Sequence, residues 1–138
     1  MSFSNFIENH ILDWLLNAGS YTPDPAGLYY LALWIGTPGE DGSLGSEVSN
    51  ANGYVREAVT SFTWDAAVGG IIVNGVPIAF PEATPSGWGN VTHFALFDSG
   101  TWGAGNMLMY GPLQGAPITI ASGSIPRFGV GAIAIQLD

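Results

Sequence analysis

Glu40, Asp41 and Glu47 stand close together in one glycine-rich stretch. Closely spaced acids are what glycoside hydrolysis needs, since that reaction uses two carboxyl groups flanking the scissile bond. The surrounding residues argue against such use. Eleven carboxylates in 138 residues place some near others without any catalytic purpose, and acids in a glycine-rich loop ordinarily serve as solvated surface charge. A chain of this length also leaves little for the long groove that polysaccharide cleavage requires. No catalytic residue is therefore assigned.

His10 and His93 are the only histidines, far apart in the chain and without a His-x-x-x-His or comparable ligand spacing. A strand histidine held by hydrogen bonds is the expected role for His93, and packing or a partner contact that for His10. Asp41-Gly42-Ser43 and Asp98-Ser99-Gly100 carry oxygens that suit calcium, yet isolated turns of this kind are usually only turns. No metal site and no cofactor are expected. Cysteine and lysine are both absent, which removes disulfides, thiolate zinc sites, P-loops and Schiff-base chemistry. No serine sits in a Gly-x-Ser-x-Gly elbow, and Gly103-Ala104-Gly105 and Gly129-Val130-Gly131 lack the third glycine of a dinucleotide fingerprint.

The aromatic residues allow a second kind of chemistry, stacking on sugar rings. Trp34 and Trp64 lie in apolar runs and read as core. Trp88 and Trp102 lie beside glycines in expected loops, which makes them the candidates for an exposed contact platform.

With Arg56 and Arg127 as the only basic residues and a net charge of −9, the chain is ill suited to bind nucleic acid, whose phosphates demand clustered cations. An anionic membrane surface is excluded on the same ground. The opening residues lack a basic n-region and cleavage site, so no export signal is expected and synthesis in a host cytoplasm follows.

Positioning any of these groups falls to β structure. One helix is expected within residues 1–19, because Phe3, Phe6, Ile7, Ile11, Trp14 and Leu15 recur at helical spacing, with Leu12 and Leu16 widening the apolar face. Asn5 with Glu8 suggests a capping box and Asn17-Ala18-Gly19 a stop. Such a broad face must be buried somewhere, and the expected contact is with a shell or a sister subunit. After a proline-containing linker, residues 20–138 read as one domain. Its expected strands are Leu28–Ile35, Val55–Trp64, Gly70–Val73, Val76–Phe80, Val91–Asp98, Met107–Leu113, Ile118–Ala121 and Ala132–Leu137. The first of these is either a strand buried on both faces or a short buried helix. Thr37 to Gly53 reads as a long surface loop, and Asn74-Gly75 as the turn of a hairpin. The fold class expected is mainly β, a two-sheet antiparallel β-sandwich of jelly-roll or immunoglobulin-like type with an N-terminal α-helix.

Several segments taken together carry a resemblance: the Phe6-to-Leu15 opening, Leu31-Ala32-Leu33-Trp34, Pro38 to Gly42, Glu47-Val48-Ser49, Gly53 to Arg56, Ile78 to Thr84, Gly87 to Asp98 and Gly105 to Gly111. In this order they resemble a family of small tailed-phage virion proteins called tail fibre or minor structural proteins. The Thr101 to Gly105 and Phe128 to Gly131 turns depart from that pattern. The resemblance implies a non-enzymatic virion structural protein, on the capsid exterior or at the tail. A fibre of the usual kind needs coiled-coil or solenoid repeats, and none is evident. The expectation is thus a capsid decoration or cement protein, partnered by the major capsid protein and by itself as a homo-oligomer, dimer or trimer. The alternative is a tail fibre or baseplate-associated adhesion protein that contacts tail proteins and host-surface glycan.

Overall fold

A computed structural model describes residues 2–16 and 27–137. The expected helix stop at residues 17–19 and the linker that follows it lie outside the described residues. The chain begins as strand β1 (Ser2–Phe3) and continues into helix α1 (Asn5–Leu15). Among the described residues eleven strands follow: β2 (Tyr29–Ile35), β3 (Ser46–Glu47), β4 (Glu57–Val59), β5 (Ile71–Val73), β6 (Ile78–Ala79), β7 (Gly89–Val91), β8 (His93–Phe97), β9 (Met107–Pro112), β10 (Ile118–Ile120), β11 (Arg127–Phe128) and β12 (Ala134–Gln136). All the pairings are antiparallel, so the protein is mainly β with one N-terminal helix.

The principal sheet runs β1-β9-β8-β2, and β2 pairs along its other edge with β4 and then β3. Strand β2 is buried on both faces, which is why its sequence is continuously apolar rather than alternating. Leu31 and Leu33 face the larger core together with Phe94 and Leu96 of β8. Ala32 and Trp34 face the other way, where Ala95, Phe97 and Met107 form a smaller cluster. Over the larger core lie three two-stranded ribbons, β10-β7, β11-β6 and β12-β5. They contribute Ile120, Val91, Phe128, Ile78 and Ile135 to it. The second layer of the sandwich is thus divided among ribbons.

Several expected elements take a different form. Phe3, expected in the helix, pairs with Met109 in β1. The extended backbone this requires persists through Ser4 (φ −78°, ψ 155°), so Ser4 replaces Asn5 as N-cap and its hydroxyl accepts from the Ile7 amide at 3.4 Å. That hydroxyl also donates to the carbonyl of Met107, which fixes the helix start to β9. Val55–Trp64 is not one strand. Thr60 caps a single 3-10 turn over Ser61–Thr63, its amide donating to Thr63 Oγ1, and this ends β4 at Val59.

Asn74-Gly75 does not join a hairpin either, because β5 pairs with β12 and β6 with β11. Neither residue takes the positive φ of a type I′ turn. Asn74 is instead fully buried. Its amide nitrogen donates to the carbonyls of Val76 and Gly129, and its oxygen accepts from the Ile133 amide, all at 2.9 Å. The expected strand Val91–Asp98 divides at Thr92, where the chain leaves a ribbon for the principal sheet. Thr92 holds that corner by donating its amide to the Trp34 carbonyl and accepting from the Gly36 amide at its hydroxyl.

Candidate functional site

The long stretch from Thr37 to Gly53 is only partly a surface loop. Ser46 and Glu47 add β3 to the edge of β2 opposite Ile35 and Trp34, and Val48 is buried. This places Glu47 against Arg56. Arg56 Nε meets Glu47 Oε1 and Nη2 meets Oε2, each at 2.8 Å, while Nη1 donates to the carbonyls of Ser99 and Ala104. The guanidinium also lies 3.7 Å from the centroid of Phe97. Both side chains are almost wholly buried, at 1% and 5% exposure. Tyr54 closes the network, donating to Glu47 Oε1 at 2.9 Å and accepting from the Leu33 amide at 3.1 Å. Burial first, and the Glu47 charge second, raise the Tyr54 phenol far above its ordinary range. The group therefore stays a neutral donor. Glu47 is committed to structure and is not paired with Glu40 or Asp41 for acid–base work.

In the sequence Arg56 stands out as one of two cations and as the end of the Gly53-to-Arg56 segment, with no partner indicated. The available signal was its place after Tyr54-Val55 in a chain with one other cation, since a lone arginine in an apolar run needs a buried partner.

Glu40 and Asp41 line a polar cavity of about 230 Å³ together with Asn5, Phe6 and Asn106 at the start of the helix. Asp41 Oδ1 accepts from the Ser43 amide at 2.9 Å, a closed turn, and hydrogen bonds from Ser43 lower its pKa. Asp98 is likewise occupied, accepting from the Asn106 amide and side chain. Among the described residues no three histidine or carboxylate side chains gather closely enough to hold a metal ion. His93 is half-buried and 2.9 Å from the Thr92 hydroxyl, and burial lowers its pKa. His10 stacks on Phe6 at 4.2 Å between ring centroids.

The two loop tryptophans separate. Trp88, expected as an exposed platform, is only 6% exposed and belongs to the larger core. Its indole N–H donates to the Asn52 carbonyl at 2.9 Å, and its ring meets Tyr54 and Phe80 edge-on. Gly87 beside it is required by close backbone approach, because an added Cβ would fall 2.3 Å from the Ile120 carbonyl oxygen. The glycines that suggested an open turn thus permit close packing. Trp102 is 44% exposed, and its indole N–H is anchored at 2.9 Å to the carbonyl of Val48. Its loop is the one clamped by Arg56, so the exposed ring is held in a fixed pose.

The helix residues divide by face. Ile7 is buried and Ile11 half-buried against the sheet, where they line a cavity of about 320 Å³ with Trp14, Leu108 and Met109. Phe3 lines a second apolar cavity, of about 360 Å³, that extends to Trp64, Ile72 and Leu137. The two share Tyr29, Leu96 and Met109, so they form one groove, and among the described residues no charged side chain lines either part. Phe6 is half-buried. At the helix end Leu12, Trp14, Leu15 and Leu16 are 56%, 62%, 67% and 71% exposed. No helix among the described residues is long and apolar enough to cross a membrane.

A family model described as Podophage GP4 fiber I protein gp80 matches residues 2–136, almost the whole chain. No curated protein matches it.

Proposed function

From the premise that this chain belongs to the Podophage GP4 fiber I protein gp80 family, and so is a fibre-type structural protein of a phage virion, we propose a non-catalytic role on the virion exterior. The observation that carries this reading is the contrast between its polar and apolar groups. Glu47, Arg56, Asn74 and Asp98 are spent on internal hydrogen bonds, whereas an uncharged apolar groove and helix end remain open. Open apolar surface beyond a few hundred Å² marks a contact with another macromolecule. The helix end grips another virion subunit, and the clamped Trp102 loop is available for weak, multivalent stacking on host-surface glycan.

The fibre description of the family favours the tail-associated adhesion role over capsid decoration. Decoration is the second reading, favoured by a sandwich whose described residues form no coiled coil or solenoid with which to build length. Cryo-EM of the parent virion with an antibody fragment against this chain decides between them. Label at the tail or its fibres supports adhesion, label over the capsomers supports decoration, and label absent from particles refutes both.

A further inference from the structure

The occupant of the apolar groove follows from its shape and extent, on the reading just given that this face is a contact between virion subunits. Over its last two turns helix α1 presents about 200° of apolar arc, from Trp14 through Ile11 and Leu15 to Leu12 and Leu16, with Ile7 continuing it a turn earlier and Glu8 interrupting it toward the N-terminus. Ile7 and Ile11 are turned to the groove, Trp14 lines its rim while 62% exposed, and Leu12, Leu15 and Leu16 stand clear of it. The face therefore holds a hollow and a ridge side by side. A surface with both features can fit a copy of itself, each ridge seated in the other's hollow.

The area agrees. At about 150–250 Å² for a large aromatic and somewhat less for a leucine, the exposed fractions of Leu12, Trp14, Leu15 and Leu16 leave roughly 400–500 Å² of apolar surface. Ala67, Gly70 and Leu137 line the other end of the groove, and Leu137 is 52% exposed. It brings the patch to roughly 500–600 Å² of apolar surface before any polar rim is added, near the ~600 Å² per partner at the low end of stable interfaces. Charge points the same way. With eleven carboxylates against two arginines, one of them buried, two copies repel over most of their surface. The uncharged groove is where they can meet.

We propose that the groove is filled by the α1 end of a second copy of this chain. The test is sedimentation equilibrium of the purified full chain, with Leu15→Glu as the disrupting variant and Ile125→Glu as a control at an exposed site outside the groove lining. A closed oligomer is expected, with Leu15→Glu raising its dissociation constant by at least about 100-fold and Ile125→Glu leaving it unchanged. Because the chain has no cysteine, Leu16→Cys adds a measurement that keeps the groove intact, and a thiol-reactive cross-linker should then join copies to one another. A wild-type protein that stays monomeric at about 100 µM overturns the proposal, as does an oligomer that a folded Leu15→Glu protein retains. A monomer still incorporated into virions refutes self-docking alone and leaves the virion role standing; absence from virions refutes that role instead.

Discussion

The Arg56 guanidinium is used entirely inside the protein, on Glu47, two loop carbonyls and the face of Phe97. Removing one partner of such a pair leaves a buried charge uncompensated, which costs about 3–5 kcal/mol. Arg56→Ala should lower stability by that order in urea denaturation. Arg56→Lys should recover little of it, since an ammonium cannot reproduce the two-pronged contact to the carboxylate. Tyr54, in the same network, sets the alkaline limit. Its folded-state pKa is raised by burial and then by Glu47, so the folded state retains a proton that the unfolded chain loses near pH 10, the usual value of about 10 for a phenol. The stabilisation is complete below that pH and declines as pH rises above it. Tyr54→Phe should remove this contribution and flatten the alkaline limb of the melting temperature plotted against pH. His93 has the opposite sense. Burial lowers its pKa, so stability should fall as pH drops below about 6.5, where the unfolded imidazole takes up a proton first.

Elements that bury one pattern against one neighbour were legible in the sequence, and those decided by distant hydrogen bonds were not. Strand β2 was legible because a strand in mid-sheet is apolar throughout, and helix α1 because its stripe has helical period. The ribbons were not. Asn74-Gly75 has the composition of a hairpin turn, but the Asn74 side chain reaches across 55 and 59 residues to Gly129 and Ile133, a separation no local pattern reports. Asn74→Ala should leave the buried Ile133 amide and the Val76 carbonyl without this partner, while the Gly129 carbonyl keeps the Ala132 amide, and cost about 2 kcal/mol in denaturant unfolding. Trp88 was misplaced for a related reason. A glycine gives conformational freedom in a loop and close approach in a core, and the sequence does not distinguish the two uses. Trp88→Ala should therefore destabilise by about 3–5 kcal/mol, as for loss of a buried aromatic. If the variant melts like wild type but loses glycan binding, the ring is a surface platform after all. Of the candidate contact residues, the exposed helix end was legible as an unusually wide stripe, whereas the Glu47–Arg56–Tyr54 network that fixes the Trp102 loop was not, since its parts come together only once β3 joins the sheet edge.

At the scale of the whole molecule, charge and shape bear on where the protein acts. A surface with net charge −9 discourages association except where it is locally uncharged, and the groove beside α1 is such a place. A subunit fixed there holds the Trp102 loop in constant pose, through Arg56 on one side and the Val48 carbonyl on the other. Under the proposed adhesion role, weak sugar contacts repeated over many copies would combine, because each later contact forms at the high effective concentration set by the first. A single subunit need not bind tightly. This predicts that virions lacking the protein lose adsorption to host cells while keeping their heat resistance, and that Trp102→Ala virions adsorb more slowly although the variant is incorporated normally. Adsorption kinetics and plating after heat challenge measure the two effects separately. A cement protein gives the reverse pattern, because subunits that bridge a pressurised shell stabilise the assembled state by their preferential binding to it. Particles that adsorb normally but release DNA at lower temperature would therefore overturn the adhesion reading in favour of decoration.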